Sequence, residues 1–209
     1  MTIDEYIEAH CTEEPEYLKV LRRNTFVKVL YPQMLCGHVQ GRFLAMISRL
    51  KRPAHILEIG TFTGYSALCL CEGLKEGGKL ITIEINDELE EIVRQNFEQS
   101  PFASQIDLVI GNALDILPNL NQTFDLVFID GHKPEYCEYL KIIKPKLNHG
   151  AVILADNVLW YGKVIDNKEN DASTVALRHF NDMVHNDSDF ENIIIPLRDG
   201  IMMFQYFPK

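Results

Sequence analysis

From about residue 53 onward, short apolar runs alternate with amphipathic stretches, and this alternation constrains the fold more than any other feature of the chain. The apolar runs are rich in Ile, Leu and Val, and they occupy residues 55–59, 80–85, 106–110, 124–129 and 151–155. Amphipathic helices are predicted between them at 64–75, 87–99, 113–120 and 134–147. Repeated strand-helix-strand units require a parallel sheet with helices on both faces. The pattern therefore predicts a doubly wound α/β fold of the Rossmann-like type.

The two ends of the chain complete this prediction. A helix is predicted at 172–186, followed by two strands at 190–195 and 201–206 that are separated by only five residues. A connection that short cannot form a parallel crossover, so the last strand should run antiparallel in a sheet of seven. The first 50 residues predict only helices, at 3–10, 15–30 and 37–51. We expect a single domain over 1–209, with a helical N-terminal extension (1–52) on a Rossmann-like core (53–209).

Composition excludes several classes of protein. The chain of 209 residues is 46% apolar and has a formal net charge of -10. It contains no unbroken apolar run of ~18 residues and no basic-then-apolar N-terminus, so we expect a cytoplasmic protein without a membrane partner. Its five cysteines lack paired C-x-x-C spacing, which favours free thiols in a reducing compartment. An acidic chain is a poor default binder of nucleic acid, although residues 19–52 hold eight Lys and Arg and no acid.

Polar residues follow each predicted strand, where ligands of doubly wound sheets bind. Glu58 and Gly60 end the first strand, but the G-x-G-x-x-G motif of dinucleotide sites is absent. Glu84, after the second strand, is placed to accept hydrogen bonds from a ribose diol. Asn112, after the third strand, is interpreted either as a ligand for a base edge or as a helix cap. A ribose ligand without a pyrophosphate, together with acids that favour a positive charge, indicates S-adenosylmethionine.

The fourth and fifth strands end in FIDGHK and ADNVLW, which bring oxygen ligands to neighbouring strand ends. Asp130, Asp156 and Asn157 suit a hard divalent cation such as Mg²⁺. Lys133 follows closely, and a partly desolvated lysine beside a cation is shifted toward its neutral form and can accept a proton. We interpret His132 as a water-facing loop residue, with an extra metal ligand as the alternative. Trp160 and its neighbour Tyr161 are candidates for the wall of an aromatic substrate site, with a core role for Trp160 as the alternative.

These motifs, in this order, resemble those of the cation-dependent class I O-methyltransferases, a family that includes catechol and caffeoyl-CoA O-methyltransferases and many bacterial relatives. The resemblance rests on EIGTFTGYS at 58–66, the acid after the second strand, D-x-x-K after the fourth and D-N-x-L-W-x-G after the fifth, and it extends from about residue 30 to the C-terminus. It implies that S-adenosylmethionine is bound by Cys36 (through its backbone), Glu58, Gly60, Ser66, Glu84, Ala113 and Asp130.

The resemblance also implies that Asp130, Asp156 and Asn157 bind the divalent cation, which is Mg²⁺ or else Mn²⁺ or Ca²⁺, and that Lys133 is the general base. Plant members usually carry D-A-D-K, so the role of their second acid does not transfer to His132. The implied reaction is methylation of a small catechol-like substrate by a homodimeric enzyme. Two alternatives stay open: methylation of a hydroxylated tRNA uridine, for which the basic residues of 19–52 are the motive, and a non-catalytic protein that binds S-adenosylmethionine.

Overall fold

A computed structural model describes all residues, 1–209, and contains one seven-stranded sheet in the order β3-β2-β1-β4-β5-β7-β6. The strands are β1 (His55–Ile59), β2 (Lys79–Glu84), β3 (Ile106–Ile110), β4 (Phe124–Ile129), β5 (Leu147–Ala155), β6 (Phe190–Ile195) and β7 (Ile201–Tyr206). Strands β1 to β5 pair in parallel, whereas β7 runs antiparallel to both β5 and β6. The predicted fold, including its reversed last strand, is confirmed.

Eight helices cover both faces of the sheet. They are α1 (Ile3–Ala9), α2 (Glu16–Lys28), α3 (Gly37–Lys51), α4 (Tyr65–Cys71), α5 (Glu90–Glu98), α6 (Ala113–Ile116), α7 (Tyr136–Ile143) and α8 (Ala172–Asn186). Alternate strand residues face two separate cores: Leu57 packs in the core that includes α7 and α8, and Ile56 in the core that includes α2 to α5. Helices α2 and α3 thus share a hydrophobic core with the sheet, whereas α1 has no buried residue. None of the eight helices combines the length and the apolar content that a membrane span requires.

Helices α4, α6 and α7 end several residues earlier than the sequence pattern predicts, and backbone chemistry explains the ends of α4 and α7. Helix α7 ends at Ile143 because Pro145 lacks a backbone N–H, and a 3₁₀ turn at Lys144–Lys146 leads directly into β5. Helix α4 ends at Cys71, close to the point where α3 crosses it. There a Cβ on Gly73 would lie 2.1 Å from the backbone of Ser48, so the two backbones meet at a glycine.

The basic residues of 19–52 are largely bonded within the chain. Lys19 pairs with Glu13 at 2.9 Å and Arg22 with Glu14 at 2.8 Å. Three others are also engaged: Arg42 and Arg49 with Glu72 at 2.6 and 2.5 Å, and Lys51 with the carbonyl of Gly150 at 2.8 Å. Acids close to these helices therefore neutralise much of the segment that looks basic in the sequence.

Candidate active site

A cleft of about 1450 Å³ opens at the carboxyl ends of the parallel strands. Strands β1 and β4 are neighbours, and their connections leave toward opposite sides of the sheet, which creates a crevice at this position. The ladder continues past the strand ends: Asp130 donates its N–H to Ile59 at 2.8 Å, and Asp156 donates its N–H to Ile129 at 2.9 Å. The ends of β1, β4 and β5 are therefore held side by side.

Gly60 allows the backbone at the end of β1 to lie close to the backbone at the end of β4. Its φ is +99°, and a Cβ at this position would lie 2.3 Å from the carbonyl oxygen of Asp130. Any other residue would push the ends of β1 and β4 apart. The glycine predicted from the sequence to contact a ligand thus also fixes the width of the cleft floor.

Glu84 and Ala113 line the same cleft, as predicted. Both carboxylate oxygens of Glu84 accept backbone N–H groups, from Phe62 at 2.7 Å and from Asn86 at 2.9 Å, so the side chain is held in one orientation. Asn112 caps α6 by accepting the N–H of Leu114 at 2.8 Å and also lines the cleft, so the capping interpretation is confirmed and contact with a base edge stays a prediction.

Glu58 lies beneath the cleft floor rather than on its surface. It is fully buried; one oxygen accepts the Thr82 hydroxyl at 2.5 Å, and the other has no hydrogen-bond partner. Burial raises the pKa of Glu58 from 4.5 to about 8, although the hydroxyls of Ser66 and Thr82 oppose the rise. Ser66 and Cys36 are also buried and, like Glu58, are not among the residues that form the cleft wall.

The three predicted metal ligands converge in the cleft. Asp130, Asp156 and Asn157 all line it, and Asp156 is only 3% exposed. Burial, reinforced by repulsion from Asp130, raises the pKa of Asp156 from 3.8 to about 6. A divalent cation would relieve this repulsion. The chain offers no group of three His, Cys, Asp or Glu side chains for a metal, so the amide oxygen of Asn157 would be the third protein ligand. An all-oxygen set of this kind fits Mg²⁺.

Lys133 is paired in a way that the sequence did not predict. Its Nζ donates to Asp130 Oδ1 at 2.7 Å and to the Tyr136 hydroxyl at 2.8 Å. Burial disfavours the charged ammonium, but these two partners outweigh burial and raise the pKa of Lys133 above its ordinary value. The shift toward the neutral form was expected beside a bound cation, and it stays a prediction for that state.

Two functional candidates were missed from the sequence. The buried hydroxyl of Tyr136 accepts a hydrogen bond from the Lys133 ammonium. The same hydroxyl lies 3.2 Å from the carbonyl oxygen of Ile129 and 3.1 Å from that of Asp156. The i, i+3 spacing of Lys133 and Tyr136 was a usable signal for this residue. Gln40, fully buried in α3, donates to Asp156 at 2.7 Å across 116 residues of sequence, for which no local pattern exists.

Aromatic side chains form part of the cleft wall. Trp160 and Tyr161 both line it, with ring centroids 5.7 Å apart. Trp160 is half-buried against the core and also lines the cleft, whereas Tyr161 is 82% exposed, so the contact with a substrate stays a prediction. His132 is exposed at the cleft edge, as its interpretation as a loop residue requires.

Comparison with known proteins identifies the class to which this fold and cleft belong. Residues 8–206 match the O-methyltransferase family, and the chain belongs to that family. The catechol O-methyltransferase of Niastella koreensis is 32% identical over 187 residues, which cover 88% of this chain and 84% of that protein. Caffeoyl-CoA O-methyltransferase 2 of Eucalyptus globulus is 32% identical over 203 residues, covering 91% and 81% of the two chains.

Solved structures agree with the sequence relatives. The O-methyltransferase TomG from Streptomyces achromogenes, solved in complex with SAM, superposes with a TM-score of 0.90 at 30% identity, covering 99% of this chain and 96% of that one. The SAH-bound methyltransferase PaMTH1 of Podospora anserina gives a TM-score of 0.89 at 26% identity, covering 99% and 94%. The predictions of family, of fold and of an O-methyltransferase enzyme are therefore confirmed.

Proposed function

We propose that this enzyme transfers a methyl group from S-adenosylmethionine to a hydroxyl of a small catechol-like substrate, with the help of a bound divalent cation. One observation carries the proposal: Asp130, Asp156 and Asn157 meet in one cleft with a lysine 2.7 Å from Asp130. The names of the relatives, catechol and caffeoyl-CoA O-methyltransferases, support a substrate with adjacent oxygens. We infer that the enzyme is a single domain, and from the family resemblance that it is a cytoplasmic homodimer.

S-adenosylmethionine supplies a methyl group on a positively charged sulfur, which becomes a neutral thioether when the acceptor oxygen takes the methyl. Gly60, Glu84 and Ala113 line the part of the cleft that would hold it. Glu84 is oriented by two backbone donors and keeps free lone pairs for the ribose hydroxyls. Glu58, Ser66 and Cys36 would act from positions just behind this wall.

The divalent cation supplies Lewis acidity, which lowers the pKa of a hydroxyl bound to it. Asp130, Asp156 and Asn157 would hold it, leaving space on the cleft side for two neighbouring substrate oxygens. Trp160 and Tyr161 provide flat apolar surface on which an aromatic ring can lie. Mg²⁺ suits this oxygen set best, and Mn²⁺ or Ca²⁺ would also fit.

Lys133 is the proposed general base, and its proton-accepting atom is Nζ. The pair with Asp130 keeps this nitrogen protonated in the chain by itself. A cation held by the Asp130 carboxylate would weaken the pull of that carboxylate on the ammonium, so that Lys133 would lose its proton to solvent and could then accept one from the substrate hydroxyl. Tyr136 keeps Nζ in place throughout, through a hydrogen bond of 2.8 Å.

A tRNA substrate is the less well supported alternative. Five of the eight basic side chains in 19–52 are engaged in ion pairs or hydrogen bonds within the chain, which leaves Arg23, Lys28 and Arg52 for phosphate contacts. Sequence-independent binding of nucleic acid depends on several such contacts and weakens steeply with salt.

The decisive experiment is transfer of a radiolabelled methyl group to catechol, caffeate and bulk tRNA, each with Mg²⁺ and with excess EDTA. We expect label on catechol or caffeate with Mg²⁺ and none with EDTA. Undiminished transfer in EDTA would exclude the metal mechanism, and label on tRNA alone would replace the proposed substrate.

A further inference from the structure

Gln40 connects three distant parts of the chain beside the candidate metal ligands. Its Nε2 donates to Asp156 Oδ2 at 2.7 Å, and its Oε1 accepts from Arg198 Nη1 at 3.2 Å. Arg198 lies between β6 and β7 and also donates to the carbonyl of Leu35 at 3.0 Å, just after the 3₁₀ turn Pro32–Met34. A residue of α3 thus joins the end of β5 to the connection between the last two strands.

The chemistry of the two partners allows only one orientation of the Gln40 amide. A carboxylate accepts hydrogen bonds and a guanidinium donates them. If the amide were turned over, two acceptors would face each other at Asp156 and two donors at Arg198. Arg198 therefore fixes the direction in which the NH₂ group of Gln40 points.

We propose that Gln40 and Arg198 are positioning residues for Asp156: Arg198 orients the Gln40 amide, and the amide holds the Asp156 carboxylate with its free lone pairs toward the cleft. This inference rests on the proposed function, in which Asp156 binds the divalent cation. The Asp156 carboxylate has about four lone-pair sites and uses two, for Gln40 at Oδ2 and for the N–H of Asn157 at Oδ1 (2.8 Å). The other two are available to a cation in a fixed direction.

The same hydrogen bonds tie ligand geometry to the shape of the cleft. Tyr31, Gln33 and Met34 form part of the cleft wall just before Leu35, whose carbonyl is bound by Arg198. Neither Gln40 nor Arg198 needs to touch the cation or the substrate to act. Hydrogen-bond partners of metal ligands typically change metal affinity by 10–100-fold when they are removed.

Binding of Mn²⁺, followed by the electron paramagnetic resonance signal of the free ion, tests the inference without catalysis or cofactor. We expect Gln40→Met, which keeps the side-chain length but makes neither bond, to weaken Mn²⁺ binding by about tenfold or more. Gln122→Met makes the same chemical change at an exposed residue that lies outside the cleft and has no side-chain hydrogen bond, and it should leave the affinity unchanged. Arg198→Met should weaken binding less than Gln40→Met.

A double variant separates positioning from general damage. Because Arg198 acts through Gln40, adding Arg198→Met to Gln40→Met should cause no further loss of Mn²⁺ affinity. Independent, multiplying losses would overturn the proposed order of action, and a Gln40→Met protein that binds Mn²⁺ as the wild type does would overturn the inference. A wild type that binds no Mn²⁺ would instead reject the proposed metal site itself.

Arg198 keeps the inference testable if Gln40→Met does not fold, since Arg198 is an exposed residue. In that case Arg198→Met is compared with Arg198→Lys, which retains a donor. We expect Arg198→Lys to recover part of the Mn²⁺ affinity that Arg198→Met loses. Unchanged affinity in Arg198→Met would then overturn the inference.

Discussion

The strand-end cleft and the N-terminal helices both concentrate charge, but they treat it in opposite ways. In the N-terminal region acids and bases are matched, as when buried Glu72 receives both Arg42 and Arg49. In the cleft, Asp130 and Asp156 lie close enough to repel each other, and Lys133 forms an ion pair with Asp130 but not with Asp156. The N-terminal region uses paired charges to join helices, whereas the cleft leaves the negative charge of Asp156 without an ion-pair partner.

Two carboxyl groups at the cleft, those of Asp156 and Glu58, have raised pKa values. Burial and a like charge raise the pKa of Asp156 to about 6, so its charged form costs folding free energy at neutral pH. Glu58, just below, has a pKa raised to about 8 by burial. Carboxylates that are retained at a cost to stability are typical of binding and catalytic sites. The two regions therefore differ in whether their buried charge is compensated within the chain.

Of the predicted changes, removal of a cleft carboxylate should have the largest effect on activity, with little effect on stability. We expect Asp156→Asn to lower metal-dependent turnover by about 10³-fold, because a ligand that holds the Lewis acid is lost. In urea unfolding the stability of the metal-free variant should change little, because removal of a costly buried charge offsets the loss of one of the two hydrogen bonds that the Asp156 carboxylate accepts.

Asp182→Asn is the matched control, because Asp182 is exposed on α8 and its carboxylate has no hydrogen bond. It should retain both turnover and stability. Full activity in Asp156→Asn would show that the cleft carboxylates are not functional, and the comparison of the two regions would lose its basis.

A change in the N-terminal ion pairs should have the opposite result, with lower stability and intact chemistry. Glu72→Gln leaves Arg42 buried without its counter-charge, and breaking a buried pair costs about 3–5 kcal/mol. Urea unfolding measures this loss, and kcat of the folded variant should stay within about twofold of the wild type.

The control for Glu72→Gln is Glu138→Gln, which breaks the ion pair between Glu138 and Lys141. The Glu138 side chain is 55% exposed in that pair. Its unfolding free energy should change far less, because water screens that pair. Equal losses in the two variants would mean that burial does not distinguish the N-terminal pairs.

The fold could be predicted from the sequence because its signals are local. Five runs of Ile, Leu and Val identified β1 to β5, two further apolar segments identified β6 and β7, and the five-residue link before β7 indicated its direction. The errors lie at boundaries such as Ile143 and Leu147, where Pro145 and the packing of neighbouring elements decide the end of a helix and the start of a strand.

The site could be predicted only in part, because the sequence specifies the strand ends but not the partners that fold over them. Asp130, Asp156 and Asn157 follow their strands directly and were found by position. Gln40 reaches Asp156 from α3, and such a long-range contact has no signature in a single sequence. The pKa of Lys133 depended on distances, which spacing alone does not supply.

The smallest predicted effect sharpens the comparison at Glu58. Between pH 4.5 and 8 the folded chain holds a proton on Glu58 that the unfolded chain has lost, so stability falls as pH rises through this window. We expect this group alone to cost about 2 kcal/mol between pH 6 and pH 8 in the metal-free and cofactor-free protein. Glu58→Gln has no proton to lose, so its unfolding free energy should decline less over the same interval.

Urea unfolding at pH 6, 7 and 8 measures the difference between the wild type and Glu58→Gln, and groups that titrate equally in both proteins cancel. Glu98→Gln, at an exposed position in α5 without a side-chain hydrogen bond, should follow the wild-type curve. Parallel curves for Glu58→Gln and wild type would mean that Glu58 is already ionised at pH 6. Glu58 would then be grouped with the compensated charges of the N-terminal helices, and the cleft region in this comparison would be limited to Asp130 and Asp156.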